Sequence, residues 1–309
     1  MKHFIRLIRP INLLIIMITM IGCAYYIHTT NYFQFVRFEP INFMLLIFST
    51  VLIAAAGNII NDYFDIKADK INKPERVVIG KHIKKRWAIA LHWIFNAFAV
   101  FISIYLSIYY QSLWFVFIQV VIVNLLWFYS LYFKKKILIG NFIIALMTGI
   151  IPLLVVVFFK VSNESTQAFS PYHSSTWTIY VDYSFIYLLA ICAFILNLGR
   201  EIIKDIEDIE GDKKINVYSL PMYIGKKKSL WIAIAICQLS FISCLIALLF
   251  FNNSFISNQL MWVILFLGIG VTVLLIPINF IKKGLPLKWY SLIIKAILFT
   301  GISTLFLYC

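Results

Sequence analysis

The chain has 309 residues, of which 62% are hydrophobic and only 13% charged, and its formal net charge is +14. That composition excludes an ordinary soluble globular domain, which carries about twice the charged fraction. In so apolar a chain the excess of lysine and arginine points to membrane orientation and contact with anionic lipid, not to nucleic acid.

Repeated apolar runs near twenty residues describe an all-α polytopic membrane protein. Nine membrane helices are expected, at about 11–28, 41–64, 85–109, 112–133, 137–160, 183–206, 229–251, 259–281 and 286–308, forming one domain over residues 1–309. Lys2, Arg6 and Arg9 precede the first helix, and no small-residue cleavage site follows it, so it reads as a membrane span and not a leader. Pro10 and Pro40 stand just before the first and second helices, where proline is tolerated. The loops after helices two (66–84) and six (208–228) are long enough to cap a site, whereas 161–180, rich in Ser and Thr, reads as a surface loop. The five cysteines form no CxxC pair and read as inert thiols.

Charge placement tests this plan. Counting the amino terminus and the connections after helices two, four, six and eight as one side places 24 of the 27 lysines and arginines there. The positive-inside rule then makes the amino terminus cytoplasmic and the carboxyl terminus external. The same side holds 10 of the 13 acidic residues, in two stretches. The abundance of Ile, Lys and Asn suggests an AT-rich bacterial genome, hence a bacterial inner membrane.

The first acidic stretch closes helix two. Asn58 precedes Asn61, Asp65 and Asp69, which stand at i, i+4 and i+8 and share one helical face. The second closes helix six, where 201, 205, 208 and 212 share a face and Asp208 and Asp212 repeat the i, i+4 carboxylate pair. Glu207 and Glu210 point elsewhere, and Gly211 can loosen the helix end. Like charges at this spacing repel, so a cation is expected against them. Oxygen ligands suit Mg2+, which typically takes one or two carboxylates plus substrate phosphates.

One metal–diphosphate site built from both stretches follows as the expectation. Lys67, Lys73, Arg76, Arg200, Lys204, Lys213 and Lys214 are candidate grips for phosphate oxygens, and Lys134, Lys135 and Lys136 follow helix four on the same side. The apolar helices would receive a hydrocarbon tail, which together with a charged head describes a polyprenyl diphosphate. Metal-bound diphosphate is a good leaving group, and an acceptor hydroxyl or aromatic carbon would capture the allylic cation. No serine or cysteine nucleophile is needed.

These motifs resemble those of the UbiA superfamily of intramembrane prenyltransferases. The resemblance covers nearly the whole chain and implies nine helices around a central cavity, with Mg2+ and prenyl diphosphate at the cytoplasmic end. It assigns the first motif to Asn61, Asp65 and Asp69 and the second to Asp208 and Asp212, as catalytic and metal-holding residues. Tyr129-Ser130-Leu131-Tyr132-Phe133-Lys134 is similar to the family's Tyr-Ser/Thr…Lys element and implies diphosphate-side roles for Tyr129 and Lys134. Arg9-Pro10-Ile11-Asn12 matches the family's entry to helix one, which brings in Asn12.

The second motif, from Arg200 to Asp212, is similar to the branch that includes geranylgeranylglycerol-phosphate geranylgeranyltransferases. That likeness implies an alcohol acceptor, a prenylglyceryl phosphate, and adds Arg200, Lys204 and Asp205 as site residues. An aromatic acceptor of quinone biosynthesis is the alternative. One departure is visible: Asn72-Lys73-Pro74-Glu75-Arg76 fits the family pattern, but Val77-Val78-Ile79-Gly80 replaces its proline-rich turn.

Lys295 lies about ten residues into helix nine, roughly 15 Å deep. An intramembrane lysine is a candidate for binding an acceptor phosphate. The competing reading is a side chain that snorkels to the interface.

Overall fold

A computed structural model describes residues 2–30, 38–72, 74–169, 181–214, 218–250 and 287–306, together with 265, 268–271 and 273. Among these residues the chain is helical, with one isolated bridge between Ile79 and Ile83. Eight helices are long and apolar enough to cross a membrane. They match eight of the nine expected spans, and the protein is an all-α integral membrane protein. The span expected at 259–281 falls almost wholly outside the described residues.

The helices are α1 (Lys2–Ile8), α2 (Pro10–Thr30), α3 (Pro40–Phe64), α4 (Ile66–Asn72), α5 (Lys85–Tyr109), α6 (Trp114–Leu131), α7 (Ile139–Phe169), α8 (Ser184–Lys214), α9 (Leu220–Ile224), α10 (Lys226–Phe250) and α11 (Leu287–Ser303). Two compact units share them: Met1–Leu131 with Leu154–Tyr183, and Tyr132–Leu153 with Ser184–Cys309. The division falls inside α7, beside Pro152, whose missing N–H and bulky ring interrupt the i→i−4 ladder there.

In the first unit α3 is the central helix, touching α1, α2, α5 and α6. Leu46, Ile53, Ala56, Ile59 and Ile60 are among its buried positions. Gly57 lets α6 approach: a Cβ there would stand 3.0 Å from the Leu126 side chain. Phe43, Tyr110, Phe115, Phe158 and Phe159 form an aromatic cluster near the start of α3. Glu39 and Asn42 complete that end, with Glu39 Oε2 accepting from Tyr110 Oη at 2.8 Å and from Asn42 Nδ2 at 2.7 Å.

In the second unit α8 is central, packed on α9, α10 and α11. Glycines again mark the close approaches. A Cβ on Gly199 would meet the Ala233 carbonyl at 2.8 Å and Cys237 Sγ at 2.5 Å; one on Gly149 would meet the Ala190 carbonyl at 3.0 Å. Asn197 Nδ2 donates to Thr148 Oγ1 at 2.8 Å, fastening α8 to the first half of α7.

Three local expectations are corrected. The segment 161–169 is not loop but the last turns of α7, because no glycine or proline interrupts it before Pro171. Helix six does not stop near 206: α8 runs to Lys214, straight through Gly211, which is buried and helical. The amino terminus carries a helix of its own, α1, whose Leu7 is fully buried with Ile59, Ile79 and Ala88.

Candidate active site

The first acidic cluster lies where α3 gives way to α4. Asp65 is the single residue between the two helices, yet it keeps the right-handed helical conformation (φ −85°, ψ −1°). Its N–H donates to the Asn61 carbonyl at 3.0 Å, and the Asp69 N–H donates to the Asp65 carbonyl at 2.8 Å. The i, i+4, i+8 relation therefore survives the break. Asn61 Nδ2 donates to Asp65 Oδ2 at 2.9 Å, which turns Asn61 Oδ1 the other way, buried and without a hydrogen-bond partner. A buried carbonyl oxygen with no donor beside a carboxylate is an oxygen set of the kind hard cations take. Asp65 is buried and Asp69 half-buried.

The amino-terminal helix braces this cluster. Asn58 Nδ2 donates to the Ile8 carbonyl at 3.0 Å and so caps the end of α1. Arg9 follows with φ +54°, a left-handed conformation that non-glycine residues rarely adopt, and it turns the chain into α2. Its guanidinium forms an ion pair with Asp62. Its pKa lies above the ordinary value: partial burial lowers it, but the ion pair and the charges of Asp65 and Asp69 more than offset that. Asn58, expected against substrate, is thus committed to the backbone of α1, and Asn12 is exposed on the first turn of α2. Arg76 ends the 3-10 turn Pro74–Arg76, but its side chain and all of Lys73 lie outside the described residues. Tyr129 is half-buried on the last turn of α6.

The second cluster occupies the last turns of α8, in the other unit. Asp212 is buried and Asp208 half-buried. Asp205 Oδ2 accepts from Asn141 Nδ2, on the first turn of α7, at 2.7 Å. One turn earlier, Glu201 Oε1 accepts from both Arg200 Nη1 at 2.9 Å and Lys204 Nζ at 2.5 Å. Lys134 acts electrostatically on both Glu201 and Asp205. Two further atoms are buried without partners, Arg200 Nε and Glu207 Oε1. Lys295 is exposed on α11, away from that helix's buried positions Tyr290, Ile294 and Ile297.

Within each unit, then, the structure gathers acids and their immediate partners. Among the described residues neither unit alone brings together three His, Cys, Asp or Glu side chains fit to hold a metal. Sequence reasoning overlooked Asp62 and Asn141 and set Glu207 aside. Asp62 and Glu207 sit off the i, i+4 face used to pick the motifs, and Asn141 stands 64 residues from its partner, with no local pattern to flag it.

The profile of the UbiA prenyltransferase family matches residues 11–299. A digeranylgeranylglyceryl phosphate synthase from Methanosphaera stadtmanae is 31% identical over 256 residues, 82% of this chain and 80% of that protein. A synthase of the same name from Methanocaldococcus jannaschii is 31% identical over 74% of this chain and 69% of its own length. Among solved structures, one described as a digeranylgeranylglyceryl phosphate synthase in membranes has a TM-score of 0.64 at 28% identity, covering 98% of this chain and 96% of that one. A UbiA homolog from Archaeoglobus fulgidus bound to GPP and Mg2+ has a TM-score of 0.66 at 16% identity, with 99% of each chain covered, a likeness of fold.

Proposed function

The chain belongs to the UbiA prenyltransferase family, and from that premise we propose that it transfers a geranylgeranyl group from its diphosphate to the free hydroxyl of a geranylgeranylglyceryl phosphate, making a digeranylgeranylglyceryl phosphate ether. The observation that carries the acidic clusters into this chemistry is the buried Asn61 Oδ1, unpartnered beside Asp65 where α3 ends. The two synthases matched above favour a glyceryl phosphate as acceptor.

Asn61, Asp65 and Asp69 of the first motif, and likewise Asp208 and Asp212 of the second, would be the Mg2+-holding residues for the donor diphosphate. When bound, Mg2+ neutralises the diphosphate and makes it a better leaving group. Lys134 and Tyr129 would orient the diphosphate, and Arg9 would hold the first cluster in place through Asp62. The donor's allylic C–O bond breaks, its electron pair leaving with diphosphate. The acceptor oxygen bonds the same carbon, and the hydroxyl proton passes to the departing diphosphate. Exclusion of water by the apolar helices protects the cation from hydrolysis.

In this reading the whole chain acts as one catalytic domain. The amino terminus and both acidic clusters face the cytoplasm. The Ile-, Lys- and Asn-rich composition favours a bacterial inner membrane, while the two synthases matched above are archaeal.

The test is a transfer assay on detergent-solubilised protein with labelled geranylgeranyl diphosphate, with and without EDTA. Magnesium-dependent ether formation on geranylgeranylglyceryl phosphate is expected. Transfer to dihydroxynaphthoate or hydroxybenzoate instead would overturn the acceptor assignment.

A further inference from the structure

Two buried polar atoms on α8 have unmet hydrogen-bonding capacity, and they are opposite in kind. Arg200 Nε is a donor and Glu207 Oε1 an acceptor. Seven residues apart, they lie on one face of the helix, turned aside from the carboxylate face of 201, 205, 208 and 212. At 1.5 Å per residue they are offset by roughly 10 Å along the axis. A buried donor or acceptor left without a partner is unfavourable by about 1–3 kcal/mol, so two on one face of one helix suggest a ligand carrying the complementary groups.

The surroundings define those groups. Arg200 Nη1 and Lys204 Nζ share one oxygen of Glu201, so the upper end of this face keeps a net positive charge. An anion fits there, against the remaining N–H of a guanidinium that is only 14% exposed. A hydrogen-bond donor fits at Glu207. A donor and an acceptor, each without a partner along one helix face, match a ligand that carries an anionic group and a hydroxyl close together, as a glyceryl phosphate does.

We propose that Arg200, with Lys204 beside it, binds the phosphate of the glyceryl phosphate acceptor, while Glu207 accepts a hydrogen bond from its free hydroxyl. This rests on the acceptor class proposed above and names the residues that select it. It gives Glu207 a task that the metal-directed carboxylates do not share.

The experiment compares three ligands: geranylgeranylglyceryl phosphate, the same lipid without phosphate, and the phosphate lipid without the free hydroxyl. Binding is read as a ligand-dependent rise in thermal midpoint, with neither Mg2+ nor donor present, and KM for acceptor and donor is measured separately. Arg200→Gln is expected to weaken the phosphate lipid by about 10- to 100-fold and to leave the phosphate-free lipid unchanged. Glu207→Ala is expected to weaken the hydroxyl-bearing lipid and not its deoxy analogue. Arg200→Lys keeps the charge for folding and should show a smaller loss with the same dependence on phosphate.

Equal losses on all three ligands would overturn the assignment. A raised donor KM with unchanged acceptor binding would assign Arg200 to the donor diphosphate instead, which also overturns it. If the wild-type protein neither binds nor alkylates any glyceryl phosphate, the proposed function itself fails. If wild type does both and the Arg200 and Glu207 variants match it, only the present inference fails.

Discussion

Asn141 Nδ2 and Asp205 Oδ2 are 2.7 Å apart, a hydrogen bond from the first turn of α7 to the carboxylate one turn before the second acidic cluster. An intramolecular hydrogen bond of this kind contributes about 0.5–1.5 kcal/mol, and more where the acceptor is ionised. Asn141→Ala should lower the thermal midpoint accordingly. Asn141→Asp should lower it further, because it sets two carboxylates face to face. Equal midpoints for wild type and Asn141→Asp would show that the pair does not form.

The carboxylates proposed to hold Mg2+ should be indispensable to turnover and dispensable to folding. Asp65→Asn and Asp208→Asn should each reduce the transfer rate at least ~100-fold, as expected when a charge-stabilising group is removed. Monodisperse protein extracted from membranes at wild-type yield would separate that loss from misfolding. Wild-type rates from either variant would exclude the carboxylate concerned.

Arg9 sets two effects against each other. Its left-handed backbone favours glycine by about 1 kcal/mol, whereas its ion pair with Asp62, on a side chain 41% exposed, contributes about 0–1 kcal/mol. Arg9→Gly should therefore leave the thermal midpoint nearly unchanged. Arg9→Val, which loses the ion pair and keeps the strain, should lower it clearly. If Arg9 holds the first cluster in place, Arg9→Gly should also raise the Mg2+ concentration needed for half-maximal activity without changing acceptor KM.

At Gly199 the obstacle to a side chain is partly backbone. A Cβ would sit 2.8 Å from the Ala233 carbonyl as well as 2.5 Å from Cys237 Sγ. Gly199→Ala should cost about 1–3 kcal/mol by overpacking. Cys237→Ala added to it should restore only part, since the carbonyl remains. Full recovery in the double variant would show that α10 yields more readily than this packing implies.

Lys295 is exposed on α11 while Tyr290, Ile294 and Ile297 are buried. This placement favours the snorkelling side chain over a phosphate ligand. Lys295→Met should keep acceptor KM and transfer rate within about twofold, as follows if the ammonium serves the interface and not the acceptor. A selective rise in acceptor KM would return it to the site.

The membrane spans were legible because their signal is summed over some twenty residues and needs no partner. The acidic clusters were legible because a carboxylate at i, i+4 beside an apolar run is unfavourable without a cation. Less visible was everything decided by distant contacts. Leu7 is buried by Ile59 and Ile79, residues more than 50 positions away, so α1 looked like no more than a charged leader to α2. Gly211 was read as a loosening point, but it is buried and helical, and Asp208 and Asp212 therefore ride on α8 instead of a loop. Glu207 was set aside because only one helical face was being counted. The adjoining face proved to hold the unpartnered atoms.

The thiols have a practical consequence. Cys23, Cys192, Cys237 and Cys244 are all buried, and the Cys192 and Cys244 sulfurs lie 3.5 Å apart. The described part of the molecule is thus chemically silent toward water-borne maleimides. With Cys309 replaced by serine, a single thiol introduced at an exposed position such as Lys67 or Lys213 becomes the one addressable handle there. Labelling of intact cells against opened vesicles then reads directly which compartment each acidic cluster meets.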